Sequence, residues 1–265
     1  MKAISNLLFC IIFSYNFAWA QDSKPKTEQT PIDTSFLIKI NGVEQYLEIK
    51  KEFQARKIFV ACHSWGSIIG IYLILKYPED YAAYIGIGQF VNPNKSLVLA
   101  RNFVTEQAKL NNDTTTLNAI SGIQFSVENG YKNSFDDLMK FYGVANKYFI
   151  NDKVSVLSDP TQLYSDYSNI DWFTPLMTSG KVLINYMNSI RIDFFPFNEF
   201  EIPIYFFAGR YDYNTSSVVV EQYFKTIKAP VKKLYWFEQS GHSPNWEEPT
   251  LFHQRLLQIA ADNRQ

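Results

Sequence analysis

Three residue types that together support nucleophilic catalysis occur in the order Ser64, Asp212, His242. A serine hydroxyl is a weak nucleophile, so it needs a base that takes its proton. A histidine base in turn needs a carboxylate that fixes its tautomer and stabilises its cationic form. The residues lie in short polar or glycine-containing motifs, which are His63-Ser64-Trp65-Gly66, Gly209-Arg-Tyr-Asp212 and Gly241-His-Ser-Pro. The trio could transfer an acyl group through a serine ester.

Taken singly, Ser64 could be a helix N-cap, and Asp212 and His242 could be turn residues. Their context favours catalysis, because each follows a short apolar run typical of a strand, and Ser64 also precedes a helical run. A strand–serine–helix turn raises the hydroxyl above the sheet edge and lets the next N–H face a developing oxyanion. We therefore predict Ser64 as nucleophile, His242 as base, Asp212 as its carboxylate partner and the Trp65 N–H as oxyanion donor.

The elements that must position these residues alternate between strand and helix, which predicts a mostly parallel α/β sheet. Two alternating runs about Asn41-Gly42 predict an opening β-hairpin over residues 36–49. Helical periodicity dominates residues 92–200, with predicted helices over 96–110, 134–149 and 181–190, as expected of an inserted helical cap. The predicted organisation is a signal peptide (1–20), a flexible leader (21–35), the N-terminal part of the core (36–91), the cap (92–200) and the C-terminal part of the core (201–265).

The N-terminus carries Lys2, an apolar stretch from Leu7 to Phe17 and then Ala18-Trp19-Ala20. This pattern predicts a signal peptide cleaved near Ala20, and hence export to the periplasm or the medium. An uncleaved membrane anchor is the alternative, although the stretch is short for a spanning helix. Cleavage would remove Cys10 and leave Cys62 as the one remaining cysteine, so no disulfide framework is expected.

The charge balance, Lys+Arg 25 against Asp+Glu 26 with net charge −1, predicts neither nucleic-acid nor anionic-membrane binding. The expected partner is a small peptide or ester substrate. Neither His63 nor His253 has metal-ligand spacing, and we expect no metal or cofactor. We expect His63 to pack behind the serine turn, His253 to lie on a helix surface and Cys62 to be a small buried filler.

These motifs, together with Glu247-Glu248-Pro249, resemble the proline iminopeptidase group of α/β-hydrolases from about Lys51 to the C-terminus. The hairpin resembles that group's first two strands. The resemblance implies an α/β-hydrolase sheet with a helical cap, and removal of an N-terminal residue, often proline, through an acyl-enzyme. It also implies cap carboxylates that bind the substrate's free amine, for which the candidates are Glu128, Asp159, Asp166 and Asp171. Glu247 and Glu248 are expected to cap or pair at the closing helix.

One departure from the group lies between the hairpin and the nucleophile strand. The resemblance implies further strands and a His-Gly-Gly-type loop that donates a second oxyanion N–H. Here Lys50 runs directly into Lys51, and no such motif occurs in the chain. We predict an incomplete sheet that lacks this segment, through a real deletion or an error in the gene model.

Three functions remain open. The first is an exported serine aminopeptidase of the proline iminopeptidase type. The second is a carboxylesterase, because the trio and the fold do not select the scissile bond. The third is a catalytically impaired remnant or binding protein that keeps the trio without a complete oxyanion hole.

Overall fold

The computed structural model describes residues 58–131, 135–149, 178–182, 184 and 191–263 with their side chains. It describes residues 10–13, 34–40, 43–49 and 134 by their backbone alone. Within these residues, no helix is both long and apolar enough to cross a membrane.

The described strands follow one another along the chain as β1 (Cys10–Phe13), β2 (Thr34–Ile40), β3 (Val43–Ile49), β4 (Ile58–His63), β5 (Tyr81–Ile87), β6 (Phe125–Ser126), β7 (Gly130–Tyr131), β8 (Ile204–Gly209) and β9 (Lys232–Phe237). The described helices are α1 (Gly66–Lys76), α2 (Pro93–Leu110), α3 (Thr114–Ser121), α4 (Ser134–Ala145), α5 (Ser217–Thr226), α6 (Pro244–Glu247) and α7 (Pro249–Asp262). Short 3-10 helices occupy Pro78–Asp80 and Asn146–Tyr148.

The main sheet has the strand order β1-β4-β5-β8-β9. Strands β4, β5, β8 and β9 are mutually parallel, as predicted. All four therefore end at the same edge, where residues that follow different strands can meet.

Side chains alternate between the two faces of this sheet, as the pleat requires. On β8, Ile204 and Phe206 pack towards α1 and α5, whereas Tyr205 and Phe207 pack towards α7. The sheet is thus buried on both faces, in agreement with the apolar texture of its strands.

The hairpin prediction is confirmed, because β2 and β3 pair antiparallel with Phe36 opposite Leu47. The two strands form a separate two-stranded sheet. Strand β1 pairs antiparallel with β4, the strand that precedes Ser64. It lies within the predicted signal peptide, so cleavage near Ala20 would remove it from the edge of β4.

The predicted cap region carries α2, α3, α4 and the small β6–β7 hairpin between β5 and β8. These elements share a core of their own, which includes Val104, Ile120 and Phe141. The predicted helix over 181–190 is described only in part, with residues 181, 182 and 184 helical. The predicted gap at Lys50/Lys51 and the candidate carboxylates Asp159, Asp166 and Asp171 lie outside the described residues.

Candidate active site

Ser64 occupies a sharp turn between β4 and α1. Its φ of 53° lies in the left-handed region, which non-glycine residues rarely adopt. The Ser64 N–H donates to the Ile87 carbonyl at 2.9 Å, and the Ser64 carbonyl accepts from the Ser67 N–H at 2.9 Å. The strained turn is therefore held by hydrogen bonds to β5 and to the first turn of α1.

The helix N-cap interpretation of Ser64 is wrong. Helix α1 begins after Trp65, and it has no side-chain cap hydrogen bond. The Ser64 hydroxyl lies instead 2.8 Å from His242 Nε2. The Trp65 N–H lies at the start of α1, where backbone donors lack intrahelical acceptors.

The structure brings the three predicted site residues into one hydrogen-bonded chain. His242 Nδ1 lies 2.9 Å from Asp212 Oδ2, and His242 Nε2 lies beside the Ser64 hydroxyl. All three side chains are buried. An ionised Asp212 accepts from the Nδ1–H, so Nε2 is left with the lone pair that a general base requires.

Asp212 has hydrogen-bond partners in addition to His242. Its Oδ1 accepts from the N–H groups of Asn214 at 2.9 Å and Thr215 at 3.0 Å, while Oδ2 also accepts from Thr215 Oγ1 at 2.7 Å. Burial acts to raise the Asp212 pKa, but the facing His242 and the hydrogen bonds outweigh it and hold the pKa below its ordinary value. The carboxylate is therefore ionised at neutral pH.

His63 and Cys62 lie behind the serine, as predicted. His63 is buried, and its Nε2–H donates to the His242 carbonyl at 2.9 Å. Burial, followed by the neighbouring His242, lowers the His63 pKa to about 4, so the ring is neutral. Cys62 is fully buried, and its Sγ lies 2.7 Å from the position that a Cβ on Gly70 would take. The thiol therefore faces α1, where strand and helix pack closely.

The base loop, residues 238–243, joins β9 to α6 and carries His242. Glu248 Oε2 accepts from the Gln239 N–H at 3.0 Å and from Ser240 Oγ at 2.6 Å, and Glu247 Oε2 accepts from the Gly241 N–H at 2.7 Å. Glu248 occupies the N-cap position of the closing helix α7, as predicted, but α7 has no side-chain cap hydrogen bond, so neither carboxylate caps it. They bind the base loop instead.

A family model described as serine aminopeptidase, S33, matches residues 39–249. The chain belongs to this family. It is 23% identical to the "Probable aminopeptidase YbaC" of Bacillus subtilis (strain 168), over 78% of this chain and 66% of that protein. It is 25% identical to a proline iminopeptidase of Heyndrickxia coagulans, over 83% of this chain and 72% of the relative. The chain thus spans slightly under two thirds of the first relative.

Among solved structures, a thermophilic esterase from Thermogutta terrifontis with bound malate aligns with a TM-score of 0.46 and 14% identity. The alignment covers 79% of this chain and 66% of the esterase. The S33 family match and the parallel sheet with helices on both faces identify the fold class as α/β-hydrolase, as predicted.

In this S33 family chain, a cavity of about 350 Å³ opens beside Asp212. Its walls come from α2, including Phe103 and Glu106, and from the loop after β8, including Tyr213. Glu128, the described member of the predicted amine-binding set, does not line this cavity; it lies in the turn between β6 and β7. Glu106 contributes the carboxylate of the α2 wall and was not among the predicted candidates.

Several residues that support the site escaped the sequence analysis. Thr215 and Ser67 each bond to a residue of the trio, and Gly88 gives His242 the space that a side chain would fill. In the sequence, the one feature that could have identified them is their position shortly after the end of a strand. The described residues contain no group of three His, Cys, Asp or Glu arranged to hold a metal ion.

Proposed function

We propose that this chain is a serine hydrolase that releases the N-terminal residue of small peptides through an acyl-enzyme on Ser64. The observation that carries the proposal is the hydrogen-bonded chain Ser64–His242–Asp212, with contacts of 2.8 and 2.9 Å. Membership of the S33 serine aminopeptidase family supports the peptide substrate.

In the proposed first half-reaction, Ser64 Oγ attacks the carbonyl carbon of the first peptide bond while His242 Nε2 takes the hydroxyl proton. Asp212 stabilises the imidazolium that forms, and the Trp65 N–H faces the oxyanion. The C–N bond then breaks, and His242 returns its proton to the leaving amine. In the second half-reaction, water attacks the ester carbonyl with His242 again as base. The ester C–O bond then breaks, His242 returns the proton to Ser64 Oγ, and the free amino acid leaves.

The expected His-Gly-Gly motif, whose loop would donate a second N–H to the oxyanion, is absent from the sequence. Loss of one oxyanion donor lowers turnover by about 10²–10³. An impaired remnant is therefore a rival hypothesis. A carboxylesterase is the second rival hypothesis. An ester has a better leaving group than an amide, so its hydrolysis depends less on a complete oxyanion hole.

We further propose that the chain is exported after cleavage near Ala20. The support is the pattern of Lys2, an apolar stretch and a small-residue site at the N-terminus. Mass spectrometry of the chain recovered from outside the cytoplasm should find a new N-terminus near Gln21. Recovery of the intact N-terminus would refute cleavage.

The first test is covalent labelling of the purified chain by a fluorophosphonate probe, with Ser64→Ala as the control. A serine activated by His242 and Asp212 should react, and the alanine variant should not. Labelling of wild type alone would support an assembled site. Failure of a folded wild-type chain to react would favour the remnant hypothesis.

Substrate class follows from a comparison of rates. An aminopeptidase should hydrolyse an unblocked prolyl or alanyl anilide and ignore its N-acylated analogue, because recognition depends on the free amine. Faster turnover of p-nitrophenyl acetate, with no hydrolysis of the anilide, would favour the carboxylesterase. Activity that survives in Ser64→Ala would come from a contaminant.

A further inference from the structure

Two peptide groups near His242, the one that precedes Gly241 and the one that follows His242, each have a side-chain partner outside the base loop. On one side, the Gly241 N–H donates to Glu247 Oε2 at 2.7 Å. On the other, the His242 carbonyl accepts from His63 Nε2 at 2.9 Å. The backbone of His242 is therefore held from α6 and from β4 at once.

We propose that Glu247 is a positioning residue for the general base, whose carboxylate fixes the backbone of His242 and so the direction of its imidazole. The inference rests on the proposed roles of Ser64 and His242. Among the described residues, no hydrogen bond joins Glu247 to Ser64 or to the His242 ring, and Glu247 acts through the backbone N–H groups of Gly241 and Ser243.

The geometry explains why a fixed backbone matters here. The imidazole must meet Ser64 Oγ at 2.8 Å and Asp212 Oδ2 at 2.9 Å simultaneously, and both contacts depend on one ring orientation. Side-chain rotation alone cannot restore both distances after the peptide moves. A loosened Gly241 peptide should therefore slow the chemical step and leave substrate affinity unchanged.

The charged groups around Glu247 indicate that its carboxylate is kept against an electrostatic cost. Burial, and to a smaller extent the like charge of Asp212, raise the Glu247 pKa, while the Gly241 and Ser243 N–H groups and His242 act to lower it. The result is a pKa of about 7, above the ordinary 4.5. A glutamine of the same shape would avoid this cost, so stability alone does not explain the acidic side chain.

The raised pKa also predicts a dependence on pH. Below about pH 7 the carboxylate takes a proton, and its charge-assisted bond to the Gly241 N–H becomes a weaker neutral one. The other titrating groups that face this region are His242, Asp212 and, behind His242, the neutral His63. The labelling rate should therefore fall on the acid side as the Glu247 carboxylate takes its proton.

The test measures fluorophosphonate labelling between about pH 5 and pH 9, resolved into the maximal rate kinact and the affinity KI, for wild type, Glu247→Gln and Glu247→Ala. We expect kinact to fall about fivefold for Gln and about thirtyfold for Ala, because the charged acceptor is first neutralised and then lost. KI should stay within about twofold, since the probe does not touch Glu247. The part of the acid-side fall that protonation of Glu247 causes should be absent from the Gln variant.

Glu238→Gln is the matched control, because Glu238 lies in the same base loop but pairs with Arg210 at the protein surface. It should label at the wild-type rate. Urea unfolding near pH 8 tests whether Glu247 positions the base or only stabilises the fold. We expect Glu247→Gln to be at least as stable as wild type, because the substitution removes a desolvated charge.

Equal kinact and equal acid limbs for wild type and both Glu247 variants would overturn the inference and leave the proposed function standing. So would a loss of kinact that merely parallels a loss of stability. A folded wild-type chain that fails to label at every pH would overturn the proposed function, and the inference with it.

Discussion

Substitution of Gly88 by alanine should misplace the base while leaving the fold intact. Gly88 follows β5 with a φ of +50°, and a Cβ built there would lie 3.0 Å from each of His242 Cε1, Nδ1 and carbonyl oxygen. Ordinary contacts between such atoms are about 3.5–4.0 Å. The ring and its backbone must therefore withdraw by roughly 0.5 Å.

That displacement is large compared with the tolerance of the site. The bonds from His242 to Ser64 and Asp212 are 2.8 and 2.9 Å long, and an extra half ångström takes them beyond the range of good hydrogen bonds. Because a misplacement of about 1 Å costs on the order of 100-fold in rate, we expect kcat to fall about 10- to 100-fold. The positive φ adds a stability loss of about 1–2 kcal/mol.

The assay compares kcat on the best ester or anilide substrate, kinact with the fluorophosphonate, and the free energy of unfolding in urea. The matched control is Gly143→Ala in α4, where an added Cβ meets nothing within 4 Å. This control should gain up to about 1 kcal/mol of stability through helix propensity and retain full activity. Wild-type kcat in a Gly88→Ala protein that has lost the expected stability would refute the reasoning.

Two further predictions concern partners of the trio. Thr215→Val removes the 2.7 Å bond to Asp212 Oδ2, so the Asp212 pKa should rise towards its ordinary value. We expect kcat to fall about tenfold with KM unchanged. An unaltered kcat would show that the backbone N–H bonds to Asp212 suffice. For His63 the pKa falls from 6.5 to about 4 on folding, so the unfolded chain binds the proton first as the pH falls and stability is lost over this window. Between neutral pH and pH 4, this titration lowers the free energy of unfolding by about 3 kcal/mol. In urea unfolding, His63→Gln should therefore lose less stability than wild type over this range, by about 3 kcal/mol. Parallel plots of stability against pH for the two proteins would mean that His63 is not the titrating group.

The trio could be predicted from sequence because each member sits in a short motif directly after an apolar run. The elements around it were also found, with boundaries that shifted by a few residues. Helix α2, predicted from Ser96, begins at Pro93, where Asn92 accepts from the Lys95 N–H as an N-cap. That capping signal was present in the sequence, but helical periodicity alone does not detect it.

The elements that were missed give little periodic signal. Helix α3 begins with three threonines, which have low helix propensity, and relies on Asp113 as its N-cap. Strands β6 and β7 are two residues each, too short for an alternating pattern. The roles of Glu247 and Glu248 depend on the one-turn helix α6, which directs their carboxylates back to the base loop. No local pattern encodes such a contact.

The reactive residues and the cavity beside Asp212 depend on different elements of the fold. Ser64, Gly88, Asp212 and the base loop all follow parallel strands of one rigid sheet, so the reactive geometry depends on strand register. The predicted cap region contacts the site through Phe103 of α2. Its ring stacks on that of Tyr213, the residue next to Asp212, with ring centroids 3.8 Å apart. We infer that changes in the predicted cap region can reshape the cavity beside Asp212 without moving the trio, because Asp212 is also held by Thr215 and His242.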